Sequence, residues 1–119
     1  MLQTKSIEDK KTWLRRLNRT IDANISNPFF SNIYIAKKMG IDKNNLNKML
    51  KNITGLTPNK YIRYRRLKKA KNYLEKGTFY TVQEAAFEVG FINVGYFNRE
   101  FIKMFDISPF QILKDYGWR

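Results

Sequence analysis

Two short stretches of the sequence carry the same kinds of polar side chain at the same spacing. Asn47 and Lys48 in the first stretch correspond to Asn98 and Arg99 in the second, at an offset of 51 residues. An asparagine side chain can bond adenine through two hydrogen bonds, whereas lysine and arginine reach guanine acceptors or phosphate oxygens. These residue types therefore predict recognition of nucleic-acid base edges.

Both stretches belong to a longer imperfect repeat. Ala36 and Gly40 match Ala86 and Gly90 at an offset of 50 residues, and the residues that follow match at 51. One extra residue therefore lies just after the second glycine. A repeated unit of helix, glycine turn and helix is typical of a helix-turn-helix, whose second helix enters the major groove of DNA.

The apolar residues of each second helix define its buried side. Leu46 and Leu50 are expected to face the core in the first unit, and Phe97 and Phe101 in the second. The outward face then carries Lys43, Asn44, Asn47, Lys48 and Lys51 in the first unit, and Asn93, Val94, Gly95, Asn98, Arg99 and Lys103 in the second. The alternative for both sets is an ordinary solvated helix face. Gly95 fits close approach of DNA and a weak helix start equally well.

The positive charge is concentrated in the middle of the chain. The net charge is +13, and residues 37–76 hold thirteen basic residues against two acidic ones. Such a block predicts a polyanion-binding face, with a solubilising surface as the alternative. The phosphate contacts that we expect in and beside this block are Lys43, Lys51, Lys60, Arg63, Lys68, Lys69 and Lys103.

Arg66 is expected to be structural. It lies four residues before Ala70, on the buried side of its helix. A buried arginine needs an acidic partner or several carbonyl oxygens. Glu84 and Glu88 are the candidate acidic partners, and the sequence does not choose between them.

Composition argues against an enzyme or a metalloprotein. The chain has no cysteine and no histidine, so the commonest metal ligands and the commonest general base are absent. It shows no glycine-rich nucleotide loop, and no cofactor is expected. We find no signal peptide and no run of 18 apolar residues, which predicts a cytoplasmic protein. A basic membrane-surface protein stays open as an alternative, but the aromatic residues are spread along the chain instead of lining one amphipathic helix, so no membrane contact is expected.

The spacing of apolar residues predicts an all-α fold of about seven helices in one domain, residues 1–119. The first unit is expected at about 31–57, a long linker helix at about 58–76 and the second unit at about 81–109. Capping residues set these bounds, among them Asp42, Thr57 and the Thr81–Glu84 capping box. Ser6 is expected to cap the first helix, which would run to Asn27.

Two segments resemble the AraC/XylS family of transcription regulators. The first runs from Gly55 to Leu74 and includes Gly55-Leu-Thr-Pro58, Tyr61-Ile, Arg66-Leu and Ala70. The second runs from Val82 to Pro109 and includes Ala85-Ala-Phe-Glu-Val-Gly90-Phe, Tyr96-Phe-Asn-Arg99 and Ile107-Ser-Pro109. The resemblance implies two helix-turn-helix units joined by a long helix, bound to double-stranded DNA. It also implies that the groove-facing positions are Asn44, Asn47, Lys48, Val94, Gly95, Asn98 and Arg99.

The chain departs from the family pattern at three positions. Gly95 stands where serine is usual, Asp106 where glycine is usual, and Leu113 where arginine is frequent. The sequence Gly-Leu-Thr-Pro-Asn at residues 55–59 is also similar to the DNA-binding output end of hybrid two-component regulators. The sequence therefore fits a stand-alone regulator or the excised end of a longer one, monomeric as this fragment and contacting RNA polymerase if it activates.

Two other classes of protein stay open at this point. One is a nonspecific RNA-binding or single-strand-binding module, which would stack bases on exposed aromatic rings. The other is a helical protein-interaction domain with a basic face. Comparing the affinity of the chain for duplex and for single-stranded oligonucleotides distinguishes these classes.

Overall fold

A computed structural model describes residues 8–117 of the chain. Within that range the fold is all-α, with no strand, and the prediction of about seven helices is confirmed. The helices are α1 (Lys10–Ala23), α2 (Asn32–Met39), α3 (Lys43–Thr54), α4 (Pro58–Lys76), α5 (Val82–Glu88), α6 (Val94–Phe105) and α7 (Pro109–Ile112), followed by a π-helical turn (Leu113–Gly117). Among these helices none is long and apolar enough to cross a membrane.

The chain folds as two compact units. The first takes the described residues up to Asn24 together with Phe30–Ile62, and the second takes Ile25–Phe29 together with the chain from Arg63 onward. Helix α4 gives its first residues to the first unit and its remaining turns to the second. The expectation of a single domain over residues 1–119 stays a prediction.

The core of the first unit is built from α1, α2 and α3. Helix α1 packs against α2, and α2 packs against α3. The buried side of α1 carries Trp13, Leu17 and Ile21, at the spacing of one helix face. Each fully buried leucine or isoleucine contributes about 1.5–3 kcal/mol, so this stripe holds α1 in place.

An aromatic cluster forms much of the core of the second unit. Phe97 and Phe101 of α6 are completely buried. Their ring centroids lie 5.5 Å apart, and Phe91 lies 5.0 Å from Phe97. Edge-to-face and tilted rings at these separations add about 0.5–1.5 kcal/mol per pair beyond their burial. The aromatic face therefore fixes which side of α6 is left for solvent.

The glycine turns of the two repeats have the same geometry. Gly40 has φ 75° and Gly90 has φ 91°, both in the left-handed region that favours glycine. After each glycine the next backbone N–H bonds back to the matching alanine carbonyl, Ile41 to Ala36 and Phe91 to Ala86, each at 3.0 Å. The offset predicted from the sequence is thus confirmed as a repeated turn.

The start of the first helix differs from the prediction. Asp9 is its N-cap, and its carboxylate accepts a hydrogen bond from the Thr12 backbone N–H at 2.7 Å. This bond holds the pKa of Asp9 below its ordinary value. Ser6, the expected cap, lies outside the described residues. The helix ends at Ala23, so the expectation that it runs to Asn27 is wrong.

The guanidinium of Arg66 lies in the core of the second unit, as expected for a structural residue. It is 7% exposed and donates to the carbonyl oxygens of Ile25 (2.9 Å), Val89 (2.7 Å) and Asn27 (3.1 Å). Burial lowers the pKa of Arg66 from its ordinary value. These bonds tie α4 to the end of α5 and to the Ile25–Phe29 segment.

The carboxylate of Glu84, one of the two acidic partners considered for Arg66, has a different role. It accepts hydrogen bonds from the backbone N–H groups of Tyr80 and Thr81 at 3.0 and 3.1 Å. The Thr81 hydroxyl in turn accepts from the Glu84 backbone N–H at 3.0 Å. The predicted capping box is therefore confirmed, and Glu84 stabilises the start of α5. Glu88, the other candidate, is exposed.

Candidate nucleic-acid interface

Helix α3 presents its expected contact residues outward because two leucines anchor the opposite side. Leu46 and Leu50 are 0% and 1% exposed. The side chain of Asp42 caps the helix by accepting from the Asn45 backbone N–H at 2.8 Å. With the helix start and the buried face fixed, the predicted residues that remain exposed are Lys43, Asn44, Asn47, Lys48 and Lys51.

A cleft lies beside the outward face of α3. Its volume is about 440 Å³, and Asn47, Lys48 and Lys51 form one wall. The other wall is the start of α4 together with Asn32, whose amide donates to Asn59 Oδ1 at 3.3 Å. The cleft thus gathers three of the predicted residues. Lys43 and Asn44 do not line it.

Helix α6 repeats this construction in the second unit. The side chain of Asn93 caps it by accepting from the Tyr96 backbone N–H at 2.8 Å. Gly95 and Arg99 are exposed, and Val94 and Asn98 are partly exposed. All four predicted base-contact positions of this unit therefore have access to solvent.

Gly95 lies directly beneath the side chain of Arg99. A Cβ at Gly95 would be 3.7 Å from Nη1 of Arg99 and 3.2 Å from Oδ1 of Asn93. The second distance is tighter than an ordinary contact, so a larger residue would press on the capping side chain. The absence of a side chain at Gly95 leaves room for both the cap and the arginine.

The basic residues expected at phosphates fall into two groups. Lys60, Lys68 and Lys103 are exposed, and Lys69 is partly exposed. Lys68 Nζ lies 5.4 Å from the Tyr64 ring centroid, and Lys69 Nζ lies 5.9 Å from that of Tyr73. Each ammonium group thus lies within cation–π distance of a ring.

Arg63 belongs to the other group. Its Nη1 donates to the Tyr96 hydroxyl at 3.0 Å, and its Nε lies 3.5 Å from Oε1 of Glu100. Glu100 also pairs with Lys103 at 3.4 Å. The surroundings of Arg63 thus differ from the open position expected of a phosphate contact.

Sequence reasoning missed Asn32 and Asn59 in the cleft wall and Tyr96 and Glu100 beside Arg63. Asn59 directly follows Pro58 at the start of α4, and an amide in a first helical turn is a signal that could have been used. The contacts of Arg63 join residues 33 or more positions apart, and no local pattern predicts them.

Comparison with known proteins identifies the family. The model of the family described as helix-turn-helix domain matches residues 35–115. Histidine kinase P4 of Formosa agariphila is 28% identical over 104 residues, which are 87% of this chain and 8% of that protein. The chain therefore spans only a small part of that relative's length.

Solved structures give the same result. A probable AraC family transcriptional regulator from Rhodopseudomonas palustris has a TM-score of 0.73 and 28% identity, covering 86% of this chain and 94% of that one. The C-terminal domain of the two-component response regulator yesN from Fusobacterium nucleatum has a TM-score of 0.70 and 27% identity, covering 82% and 93%. With its repeated helix-turn-helix geometry and a family match over more than half its length, the chain belongs to the AraC-type helix-turn-helix family of DNA-binding transcription regulators.

Proposed function

We propose that the two helix-turn-helix units read successive major-groove segments of one DNA duplex, with α3 and α6 as the recognition helices. The observation that carries the proposal is their common construction. Each starts at a capping side chain and buries one apolar face, and each leaves an asparagine followed by a cation pointing outward. This is the presentation that base readout in the major groove requires.

The proposed base contacts follow the outward positions. In the first unit they are Asn44, Asn47 and Lys48, and in the second Val94, Gly95, Asn98 and Arg99. The proposed phosphate contacts are Lys43, Lys51, Lys60, Lys68, Lys69 and Lys103. Arg63 leaves this set because it contacts Tyr96 and Glu100.

We expect the first unit to supply more of the affinity. Its recognition helix lies within the most basic part of the chain, residues 37–76. The second helix places Arg99 next to two residues without hydrogen-bonding side chains, Val94 and Gly95. Arg99 therefore supplies selectivity through guanine, while the lysines of the first unit supply phosphate attraction.

Selection of bound sites from a random duplex library, followed by footprinting, tests this proposal. The expected result is two protected segments with centres about 10 base pairs apart, on one face of the duplex. A footprint confined to a single major-groove segment would contradict the two-unit proposal. Equal affinity for duplex and single-stranded oligonucleotides of the selected sequence would favour the nonspecific class instead.

Phe97 and Phe101 of α6 are completely buried. These two rings are therefore not available for the base stacking that a single-strand binder uses. We further propose that this chain acts in the cytoplasm, is monomeric as this fragment, and contacts RNA polymerase where it activates transcription.

A further inference from the structure

Two cationic residues of the linker helix α4 contact the recognition helix α6. Arg63 donates to Tyr96 Oη at 3.0 Å and lies 3.5 Å from Glu100 Oε1. Lys71 Nζ lies 5.5 Å from the ring centroid of Phe105. Because Tyr96 is in the first turn of α6 and Phe105 is its last residue, these contacts extend along the whole helix.

The Arg63 contact is suited to fixing the rotation of α6. Tyr96 and Glu100 are four residues apart and so lie on one helix face, one turn from each other. A planar guanidinium that contacts both side chains loses these contacts if the helix rotates about its axis. The side chain of Arg63 is 33% exposed and that of Glu100 is 17% exposed, so the pair is more shielded from solvent than a typical surface pair.

Two of the residues proposed to read bases lie, in the sequence, between the two residues that Arg63 contacts. Asn98 and Arg99 lie between Tyr96 and Glu100. Side chains that read bases must be held to within about 0.5 Å and 10–20° of their working geometry. A roll of α6 therefore misplaces both of them while leaving the net charge of the protein unchanged.

We propose that Arg63 is a positioning residue, which sets the orientation of α6 and thereby the sequence preference of the second unit, and that it is not a phosphate contact. The proposal rests on the function proposed above. Arg63, although it belongs to the basic block of residues 37–76, then stabilises the second unit internally and does not bind DNA. Lys71 supports the far end of the same helix.

The decisive variant is Arg63→Lys, which keeps the charge but loses the planar fork. We expect the ratio of affinities for the selected site over random duplex to fall about fivefold or more, with the slope of log affinity against log salt unchanged. A phosphate contact would tolerate lysine, so a preserved ratio would overturn the proposal. Lys76→Arg, at the exposed last residue of the same helix and outside the proposed contacts, is the matched control and should alter neither quantity.

Glu100→Gln gives a test of opposite sign. If Arg63 positions α6, removing its carboxylate partner should lower the preference ratio as Arg63→Lys does. If Arg63 instead reaches phosphate, the same change releases it and tightens binding to every duplex. Because the change also frees Lys103, a proposed phosphate contact, the preference ratio decides between the two roles. A ratio equal to that of the parent would contradict the proposal.

A readout without DNA separates this proposal from the proposed function. Amide hydrogen exchange in α6 should be at least about threefold faster in Arg63→Lys than in the parent, because a fixed contact is lost, while exchange in α3 stays the same. Unchanged exchange in α6 would overturn the positioning role. If the parent protein prefers no duplex sequence, the proposed function is overturned. The exchange measurement still tests the positioning role of Arg63, because it uses no DNA.

Discussion

Replacing Gly90 with alanine should destabilise the protein far more than the same replacement at Gly40. Both glycines have positive φ, and an L-residue there costs about 1–2 kcal/mol. That is the whole cost expected at Gly40, where a Cβ would meet nothing within 4 Å. At Gly90 a Cβ would lie 1.3 Å from Nη1 of Arg66 and 2.5 Å from the carbonyl oxygen of Ile25.

The guanidinium of Arg66 must therefore move away when Gly90 gains a side chain. Its carbonyl acceptors would lose those N–H donors, and each of the two buried acceptors, on Ile25 and Val89, costs about 1–3 kcal/mol when unsatisfied. Together with the cost of positive φ, we expect a total loss of about 3–8 kcal/mol for Gly90→Ala. This loss is comparable with the whole stability of a small protein, about 5–15 kcal/mol.

Urea denaturation followed by circular dichroism measures both variants. Trimethylamine N-oxide at one fixed concentration in all samples raises stability enough to keep Gly90→Ala measurable. Equal free energies of unfolding for Gly90→Ala and Gly40→Ala would refute the reasoning. A second check is the double variant Arg66→Ala with Gly90→Ala, whose loss should be well below the sum of the two single losses because they remove the same bonds.

Four further outcomes are expected. Changing Lys68 and Lys69 together to glutamine should weaken binding to all duplexes alike and flatten the salt slope by about 1.8 in a filter-binding titration; an unchanged slope would exclude them as phosphate contacts. Arg99→Ala should cost about 1–3 kcal/mol on the selected site and little on random duplex, and equal losses on both would reduce it to a phosphate contact. Asp106→Gly should raise the free energy of unfolding by about 1 kcal/mol, since Asp106 has φ 59°, and a loss would show that its side chain contributes. The melting temperature should fall as pH drops below about 3.8, where Asp9 with its lowered pKa becomes protonated. Asp9→Asn caps the helix without titrating and should remove that part of the fall. Identical acid profiles for the parent and Asp9→Asn would contradict this prediction.

The sign of this last effect follows from the direction of the shift. Because the pKa of Asp9 is lower in the folded state, its contribution is fully present above the ordinary value of 3.8 and is lost as pH falls through the folded value. Glu8 acts in the same sense, since its hydrogen bond from Arg16 lowers its pKa. The control is therefore a parallel melt of Asp9→Asn over the same pH range.

Features set by short-range rules could be predicted from the sequence. The linker helix starts at Pro58 and ends at Lys76 as expected, because a proline at the first helical position and a glycine after the last are strong local signals. Asp42 and the Thr81–Glu84 box also cap as expected. Each of these depends on residues no more than four positions apart.

Features set by contacts distant in sequence could not be predicted. Arg66 donates to backbone carbonyls up to 41 positions away, and every residue type has such a carbonyl, so the sequence does not show which ones accept. The start of α1 was missed for another reason. Ser6 and Asp9 are both good caps, and the apolar spacing of the helix is the same whichever one begins it. At the candidate site the outward positions were predictable, whereas the engagement of Arg63 by Tyr96 and Glu100 was not.

The caps of α3 and α6, the proposed recognition helices, make the outward residues of these helices exchangeable. Asp42 and Asn93 each fix a helix start through a bond to the backbone only three residues ahead, so changing an exposed residue beyond that turn leaves the helix where it is. A single substitution, Lys48→Arg, gives the first helix the same asparagine–arginine pair as the second. The preferred operator of that variant should shift toward a direct repeat, which makes this protein a starting point for programming DNA-binding preference one half-site at a time.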